Sequence, residues 1–310
     1  MRILVTGGAG FLGSNMADRL AAAGREVAVL DNYATGRRDA PSPSERIQVV
    51  DGSVVDKACV DALFDSFRPT HVLHAAAAYK DPDDWGEDVL SNVLGTVNVI
   101  RASQRHEVER FVYFQTALSY GAARQVPIPV DHPLHPLTSY SISKCGGERY
   151  LAMSGLNYVN LRLANVYGPR SYTGPMPAFY KRLKGGQPCL IVRTRRDFLE
   201  FDDFMRLMEM LLPSEAPGGD FNVSSGEDCT IEDVYRLTVK ILGVTPADEP
   251  KIVDPLEDDL NSLLLDPSKV QEVFGWKPEV DLEAGMRKLI AWYEENGVGE
   301  TFTHLRAAKD

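Results

Sequence analysis

Residues 2–20 read RILVTGGAGFLGSNMADRL and join an apolar run, a glycine-rich turn and a helical pattern. The run RILVT (2–6) has the composition of a buried strand. The helix is expected over residues 11–23, because the pattern stops at Gly24. A strand, a tight turn and a helix in this order predict the start of a βαβ unit.

The glycines of the turn are Gly7, Gly10 and Gly13, at G-x-x-G-x-x-G spacing. Glycines so spaced let the backbone turn tightly and approach a pyrophosphate. The N-terminus of the following helix then offers unpaired N–H groups to the phosphate charge. A simple glycine-rich turn is the alternative, but the strand–turn–helix context favours a dinucleotide site.

Asp31 closes the second apolar strand, EVAVLD (26–31), 18 residues after Gly13. A carboxylate at this position can bind the ribose hydroxyls of adenosine and would repel a 2′-phosphate, which favours NAD over NADP. Arg37 and Arg38 could receive such a phosphate. They are more simply explained as part of an exposed turn, and we therefore expect NAD.

The first half of the chain alternates apolar, β-branched runs with helical segments. Further strands are expected at 46–51, 71–76 and 110–115, and helices near 57–67, 87–105, 202–212, 230–242 and 282–296. Strands separated by helices and apolar on both faces indicate a parallel sheet covered on both sides. We predict an α/β fold with a Rossmann-type doubly wound parallel sheet over residues 1–164, including segments that return from the second half. A smaller α/β substrate-binding lobe is expected over 165–310.

Composition narrows the class of protein. The 310 residues are 44% hydrophobic and 25% charged, with a net charge of -11 and a pI of about 5.1. An acidic chain is a poor binder of nucleic acid or anionic membranes. No basic leader or long apolar stretch is found, and the four cysteines lack the spacing of a zinc or redox motif. We expect a cytoplasmic protein without a metal site, a membrane partner or a nucleic-acid partner.

The stretch SYSISKCGGE (139–148) sets Tyr140 and Lys144 one helical turn apart. The pattern Tyr-x-x-x-Lys is common by chance, and Tyr180 and Lys184 also match it. The first pair follows a predicted strand by a loop, whereas the cations beside the second pair are expected to face solvent or a ligand phosphate. The first pair is therefore the candidate for catalysis.

Thr116 lies just beyond the end of the strand 110–115, and ligands bind outside the carboxyl ends of parallel strands. Thr116 and the helix that carries Tyr140 should therefore border the nicotinamide end of the cofactor. Lys144 is expected to lower the pKa of Tyr140 by its charge and to hydrogen-bond the cofactor ribose. Thr116 would hydrogen-bond the reacting hydroxyl while Tyr140 removes its proton and hydride passes to NAD.

Several further motifs carry a resemblance to a known family. They are NVLGTVN (92–98), TALSYG (116–121), YSISK (140–144), LRLANVYGPR (161–170), RDFLEFDD (196–203), FNVSSGE (221–227), LDPSK (265–269) and FGWKP (274–278). With the glycine turn and Asp31, they make the chain similar to the extended short-chain dehydrogenase/reductase family. The best match is its NAD-dependent sugar-nucleotide epimerase/dehydratase branch, and the resemblance covers nearly the whole chain.

The resemblance implies roles for individual residues. Its catalytic triad falls on Thr116, Tyr140 and Lys144. Contacts with NAD are implied for Gly7, Gly10, Phe11, Leu12, Gly13, Asp31, Asn32, Ser53, Val54, Ala75, Ala76, Ala77, Asn92, Tyr140 and Lys144. Contacts with substrate are implied for Thr116, and contacts with its diphosphate for Asn165 and Arg196, whose guanidinium suits phosphate oxygens. A surface role is the alternative for Arg196.

Three features of the sequence depart from the family pattern. Family dehydratases carry an Asp-Glu pair directly after the catalytic Ser or Thr, and decarboxylases commonly carry a Glu there. Here Ala117 and Leu118 follow Thr116, and neither can act as an acid or base. This favours oxidation and reduction at a sugar carbon, most simply C4, over elimination. Ser53 replaces an acid that usually helps to hold adenine, and residues 254–259 lack an arginine that is common in the family.

Lys80 lies in AAAAYKDPDDWG (75–86), which follows the fourth predicted strand and therefore borders the same edge of the sheet. It could bind substrate hydroxyls or a sugar carboxylate. It could equally pair with one of the aspartates that follow it in a solvated loop. The sequence leaves both readings open.

The expected function is an isomerase: an NAD-dependent 4-epimerase of a UDP-linked sugar in polysaccharide biosynthesis, acting through a 4-keto intermediate. One alternative is an NAD(P)-dependent 4-keto reductase or dehydrogenase of a nucleotide sugar, and another is a non-catalytic dinucleotide-binding module. The helices near 87–105 and 139–154 resemble the pair that forms the dimer interface in this family. A homodimer is therefore expected.

Overall fold

The computed structural model describes residues 1–255, 260–299 and 301. They divide into two compact units, the first built from residues 1–119, 136–162 and 208–221, and the second from the remaining described residues. The predicted division at residue 164 stays a prediction. Residues 256–259, within the run that lacks the family's arginine, lie outside the described residues.

A sheet of seven strands, counted over the described residues, dominates the first unit. The strands are β1 (Arg2–Thr6), β2 (Glu26–Asp31), β3 (Ile47–Asp51), β4 (His71–His74), β5 (Arg110–Thr116), β6 (Tyr158–Leu163) and β11 (Gly219–Val223). Their order is β3-β2-β1-β4-β5-β6-β11. β1 pairs in parallel with β2 and β4, and the pairs β2–β3 and β4–β5 are also parallel. The chain order reverses beside β1, which confirms the predicted doubly wound sheet and locates the ligand-binding crevice of such sheets.

The helices of the first unit are α1 (Phe11–Ala22), α2 (Lys57–Phe67), α3 (Trp85–Glu87), α4 (Thr96–Arg105) and α5 (Ser139–Ala152). The predicted single helix 87–105 is wrong in part, because a π-helix covers Asp88–Gly95. Thr96 Oγ1 donates to the carbonyl of Asn92 at 2.7 Å, and such side-chain bonds compete with the regular backbone ladder.

Both faces of the sheet are apolar because helices cover them. On one side, Leu4, Val72 and Phe111 from three neighbouring strands pack with Phe64 of α2 and Val99 of α4. This burial, rather than any single contact, stabilises the strand order. It also keeps the carboxyl ends of β1, β2, β4 and β5 together at one edge of the sheet.

The start of α5 is fixed by a capping box. Thr138 Oγ1 accepts the N–H of Ser141 at 3.2 Å, and Ser141 Oγ accepts the N–H of Thr138 at 3.1 Å. These bonds satisfy two donors that a helix start leaves unpaired. They hold the first turn of α5, which carries Tyr140.

The second unit is a smaller α/β assembly. Its elements are β7 (Asn165–Tyr167), α6 (Pro175–Lys184), β8 (Leu190–Val192), β9 (Arg195–Arg196), β10 (Phe198–Glu200), α7 (Phe201–Leu211, which starts here), β12 (Cys229–Thr230), α8 (Ile231–Leu242), β13 (Lys251–Val253), α9 (Ser268–Phe274) and α10 (Leu282–Asn296). The strands pair two by two, as β7 with β10, β8 with β13 and β9 with β12. Phe179, Val234 and Leu289, from three helices, share one core.

The cysteines, the apolar helices and the possible metal ligands of the described residues also bear on function. The four cysteines are free thiols. Across residues 1–255, 260–299 and 301, no helix is long and apolar enough to cross a bilayer. The same residues contain no group of three His, Cys, Asp or Glu side chains that could hold a metal ion.

Candidate active site

The glycine-rich turn between β1 and α1 packs closely against the segment that follows β4. Gly7 has φ +67°, and a Cβ at this position would lie 2.6 Å from the nitrogen of Ala76 and 2.8 Å from the carbonyl carbon of Ala75. A Cβ at Gly13 would overlap the carbonyl oxygen of Gly7. Gly10 donates its N–H to the same oxygen at 3.2 Å. Glycine is therefore required here for close backbone approach, which leaves a cradle that suits a pyrophosphate.

The first turn of α1 begins at the cradle. Gly10 is its N-cap and contributes no side-chain bond, and the N-terminus of a helix favours the binding of an anion. Phe11 and Leu12 occupy this turn and are half-buried, as is Ala77 after β4. The predicted residues of the phosphate site therefore come together in the first unit.

Asp31, the last residue of β2, hydrogen-bonds the glycine-rich turn. Its Oδ2 accepts the N–H of Ala9 at 2.9 Å, and its Oδ1 accepts the N–H of Tyr33 at 2.7 Å. Burial raises the pKa of the Asp31 carboxyl, and these hydrogen bonds oppose the rise. A carboxylate has about four acceptor positions, so it can also bind the ribose hydroxyls that the sequence predicts for it.

The arginines after β2 are neutralised by neighbouring carboxylates. Arg37 forms a two-bond pair with Asp39 at 2.7 and 2.5 Å. Arg38 pairs with Asp51 at 2.9 Å and lies 4.2 Å from the ring centre of Tyr33. These pairs weaken the case for a 2′-phosphate at this edge and agree with NAD.

Three further predicted cofactor residues lie in the loops after β2 and β3. Asn32 Oδ1 accepts the N–H of Ala34 at 3.1 Å, and Ser53 Oγ accepts the N–H of Val55 at 3.2 Å. The buried Val54 gives its carbonyl to Asn98 at 3.0 Å. These bonds order both loops, and the contacts of Asn32, Ser53 and Val54 with NAD stay predictions.

Asn92 is fully buried and orders the segment after β4. Its Oδ1 accepts the N–H of Ala78 at 2.9 Å. Its Nδ2 donates to the carbonyl of Ala78 at 3.0 Å and to Ser143 Oγ at 2.9 Å. The side chain thus ties the alanine run before Ala78 to α5. A direct contact of Asn92 with NAD stays a prediction.

Tyr140 lies half-buried in the first turn of α5, with its ring edge-on to Tyr79 at a centroid distance of 6.4 Å. Burial raises the pKa of Tyr140 well above its ordinary value, and the negative charge of Asp88 adds to the rise. For the groups of the chain itself, the pKa of Tyr140 is therefore raised and not lowered as predicted. Desolvation of the phenolate is the largest cause.

Lys144 is 2% exposed, and its Nζ lies 4.1 Å from the ring centre of Tyr113. The hydroxyl of Tyr113 donates to the carbonyl of Lys144 at 3.0 Å. Burial lowers the pKa of Lys144 to about 7, while the negative charge of Glu148 opposes the change. Lys144 is thus a buried amine whose protonation is balanced near neutral pH.

Thr116 ends β5 with its hydroxyl oriented by the next turn. Its Oγ1 accepts the N–H of Leu118 at 3.2 Å, and its own N–H donates to Gln115 Oε1 at 2.9 Å. Since the Oγ1 accepts here, its hydrogen can be donated to a substrate oxygen. Ala117 is buried, and neither it nor Leu118 offers a proton-transfer group.

Sequence reasoning missed His74, which links the end of β1 to the start of α4. Its Nδ1 lies 2.7 Å from Thr6 Oγ1 and its Nε2 lies 2.9 Å from Thr96 Oγ1. Thr96 already donates to Asn92, so Nε2 carries the hydrogen and the ring is neutral. Burial lowers the pKa of His74 to about 3, with a smaller contribution from the charge of Lys144. The available signal was a histidine at the end of a short strand, directly before the alanine run.

Lys80 is exposed in the loop after β4. Nearby, Asp84 caps α3 by accepting the N–H of Glu87 at 3.0 Å, and Asp81 accepts the N–H of Asp83 at 3.0 Å. These aspartates thus have structural roles in the loop. Binding of substrate by Lys80 stays a prediction.

The remaining predicted substrate residues, Asn165 and Arg196, belong to the second unit. Asn165 Nδ2 donates to the carbonyl of Asp197 at 3.0 Å, and Arg196 Nη1 donates to the carbonyl of Leu260 at 2.7 Å. The carboxylate of Asp197 accepts from Ser225 Oγ at 2.7 Å, and burial raises its pKa to about 6. Asn165 therefore contacts the residue that follows Arg196, and binding of the substrate by Asn165 and Arg196 stays a prediction.

Comparison with known proteins identifies the relatives of this architecture. Residues 3–224 match the model of the NAD dependent epimerase/dehydratase family. The enzyme WbmG of Bordetella bronchiseptica, crystallised with NAD and UDP, is 49% identical over 99% of both chains, with a TM-score of 0.94. A UDP-glucose 4-epimerase of Mycolicibacterium smegmatis is 31% identical over 94% of this chain and 98% of its own. A dTDP-glucose 4,6-dehydratase of an Actinoplanes species is 30% identical over 96% and 98% of the two chains. The chain belongs to the NAD-dependent epimerase/dehydratase family, and NAD is its cofactor.

Proposed function

We propose that the protein is an epimerase that inverts C4 of a nucleotide-activated sugar, with UDP as the nucleotide. The proposal rests on the residues that follow Thr116 in the sequence. Thr116 shares a unit with Tyr140 and Lys144, but Ala117 and Leu118 follow it in place of an acid and a base. Elimination of water needs a group that protonates the departing hydroxyl, and neither of these side chains can do so. The UDP bound by WbmG supports the choice of nucleotide.

The proposed chemistry divides between three side chains. Thr116 donates its hydroxyl hydrogen to the sugar oxygen and orients it. Tyr140 takes the proton of that hydroxyl as the hydrogen on the same carbon leaves as hydride, and returns the proton to the inverted alcohol. Lys144, when protonated, stabilises the phenolate form of Tyr140. Bound NAD supplies the hydride acceptor and donor, so the complete cycle has no net redox change.

Binding of the cofactor is assigned to the cradle at Gly7, Gly10 and Gly13, and binding of the adenosine ribose to Asp31. Asn165 and Arg196 are proposed to bind the diphosphate of the sugar nucleotide. Arg196 suits this role because a guanidinium can donate two parallel hydrogen bonds to phosphate oxygens.

The proposal includes a homodimer. Exposed apolar side chains are concentrated on α3, the π-helix, α5 and the C-cap of α5, at Trp85, Val89, Leu90, Leu94, Ile142, Tyr150 and Met153. An apolar surface of this kind is typical of a protein–protein interface. Most homo-oligomers are two-fold dimers in which the same patch serves both copies, so a second copy of this chain is the expected partner.

The test begins with freshly purified protein. The chain is denatured, the released dinucleotide is identified and quantified by chromatography, and the native protein is incubated with a panel of UDP-sugars. We expect about one NAD per chain and conversion of a sugar to its C4 epimer without accumulation of NADH. Conversion that consumes added NADH or NADPH would replace the epimerase with a reductase. A dehydrated product would refute the argument from Ala117 and Leu118.

A further inference from the structure

A chain of buried polar groups beneath α5 leads from an ion pair to the backbone of Thr116. Arg162 Nη2 donates to Glu148 Oε1 at 2.8 Å, and Gln115 Nε2 donates to Glu148 Oε2 at 2.9 Å. Gln115 Oε1 in turn accepts the N–H of Thr116 at 2.9 Å. Gln115, Glu148 and Arg162 are between 2% and 5% exposed, so solvent does not replace these bonds.

Glu148 also lies in line with the catalytic candidates on its helix. Tyr140, Lys144 and Glu148 follow one another at four-residue spacing, which keeps the three side chains along one face of α5. Burial alone would raise the pKa of the Glu148 carboxyl, but the hydrogen bonds and charge of Arg162 outweigh burial and lower it. Glu148 is therefore an anion one helical turn beyond Lys144.

The other titratable groups around Lys144 are neutral near pH 7. Burial raises the pKa of Tyr113, on β5, well above its ordinary value, and lowers that of His74, on β4, to about 3. Burial also raises the pKa of Cys145, on α5, to about 11. Among these neighbours, the negative charge that favours an ammonium at Lys144 comes from Glu148.

We propose that Glu148, held by Arg162 and linked through Gln115, is a positioning residue for the reaction. It fixes the main chain of Thr116 against α5, and it supplies the negative charge beside Lys144. The inference rests on the proposed function, because it assigns a task relative to the same three side chains. Stability alone is a weak reason for a buried ion pair, since apolar groups of similar volume often stabilise a core as well or better.

Two variants test the position of the Thr116 main chain and the negative charge beside Lys144. Gln115→Met keeps the side-chain length and the Glu148–Arg162 pair, but it removes the acceptor for the Thr116 N–H and the donor to Glu148 Oε2. Glu148→Gln keeps the shape and removes the charge. The control is Arg110→Met, because Arg110 is also buried on β5 but lies six residues from Thr116, about 20 Å along the strand. Its guanidinium donates to the carbonyls of Leu211 at 2.9 Å and Ala216 at 2.8 Å.

The measurements are kcat and KM for the sugar that the wild type converts, over a range of pH, with Tm for each variant. Gln115→Met is expected to lower kcat about 100-fold with little change in KM, because a misplaced catalytic group costs about this much. Glu148→Gln is expected to move the alkaline limb of the pH profile about one pH unit lower, since Lys144 loses its proton more easily. Arg110→Met should lower Tm and leave kcat and both pH limbs unchanged.

Unchanged kcat in Gln115→Met and an unmoved alkaline limb in Glu148→Gln, with Tm lowered as in Arg110→Met, would overturn the proposal. The pair would then be a structural element only. If Glu148→Gln does not fold, Gln115→Met alone decides the positioning of Thr116.

A second readout does not depend on sugar conversion. The affinity for NAD is measured by calorimetry against pH in wild type and Glu148→Gln, because the family resemblance implies that Lys144 binds the cofactor ribose. A lower pH midpoint in the variant supports the charge effect even if no sugar is converted. A wild type that converts no sugar refutes the proposed function, whereas an unmoved NAD midpoint refutes the inference.

Discussion

Gly7 and Gly24 both have a positive φ, but only Gly7 packs closely against another segment. Comparing alanine variants of the two therefore separates the cost of the close contact at the cofactor cradle from the cost of backbone strain. Gly7 has φ +67° and Gly24 has φ +80°, so alanine at either position adopts a left-handed conformation. That strain costs about 1–2 kcal/mol. A Cβ at Gly24 meets nothing within 4 Å, whereas one at Gly7 would lie 2.6 Å from the backbone of Ala76. Ordinary contact begins at 3.4 Å, so the two segments must separate by about 0.8 Å, the difference of these distances.

We therefore expect Gly24→Ala to lower the free energy of unfolding by about 1–2 kcal/mol and to leave NAD binding unchanged. Gly7→Ala should lose a further 1–3 kcal/mol, roughly the usual cost of overpacking, and about 100-fold in NAD affinity. Denaturant unfolding gives the first quantity, and calorimetric titration with NAD gives the second. Equal stability losses in the two variants, with NAD affinity retained in Gly7→Ala, would refute the close approach of the turn to the segment after β4.

Further predictions concern proton transfer, pH dependence and assembly. Tyr140→Phe should lower sugar conversion by about 10²–10⁴-fold, measured by chromatography, with unchanged NAD content. Oxidised NAD should produce a tyrosinate difference spectrum in the wild type that Tyr140→Phe lacks, and the same spectrum in both would contradict the assignment. The pKa of His74 is about 3, against 6.5 for an ordinary histidine. The stability it contributes is present above pH 6.5 and is lost progressively towards pH 3, so His74→Gln should flatten the fall of Tm with acid. Ile142→Asp should convert a dimer to monomers in light scattering, and a dimer that persists would move the interface elsewhere.

Local patterns predicted the elements whose hydrophobic period is clear. The strand at 2–6 and the helix at 282–296 have the predicted bounds. A strand buried on both faces is a run of apolar residues, and a helix buried on one face has apolar residues at helical spacing, so both can be recognised in the sequence. The segment 88–95 was predicted as part of an α-helix and is a π-helix. A segment of eight residues is too short for its apolar spacing to distinguish the two kinds of helix. Very short strands such as β9 and β12 were also missed, because their pairing depends on contacts distant in sequence.

The same limit applies to the candidate active site. Spacing was enough to select Thr116, Tyr140 and Lys144, since helical and strand periods determine which side chains share a face. Their pKa values depend instead on how much water each group loses on folding, and this is a property of the packed chain. Burial disfavours the phenolate of Tyr140 and the ammonium of Lys144 alike. A rule based on charge attraction alone therefore predicted the wrong direction for Tyr140.

The raised pKa of Tyr140 and the lowered pKa of Lys144 affect how the catalytic base is formed. Burial disfavours both charges, so the phenolate of Tyr140 forms when Lys144 carries a proton, and the two charges then stabilise each other. The balance between the neutral and the charged pair is then sensitive to any further charge nearby. A positive charge on the oxidised cofactor favours the phenolate, and its loss on reduction favours the protonated tyrosine. On this hypothesis, the base is present when hydride must leave the sugar, and the acid is present when hydride must return. An epimerase needs both states within one catalytic cycle, and a buried Tyr–Lys pair provides them without exchange of protons with solvent.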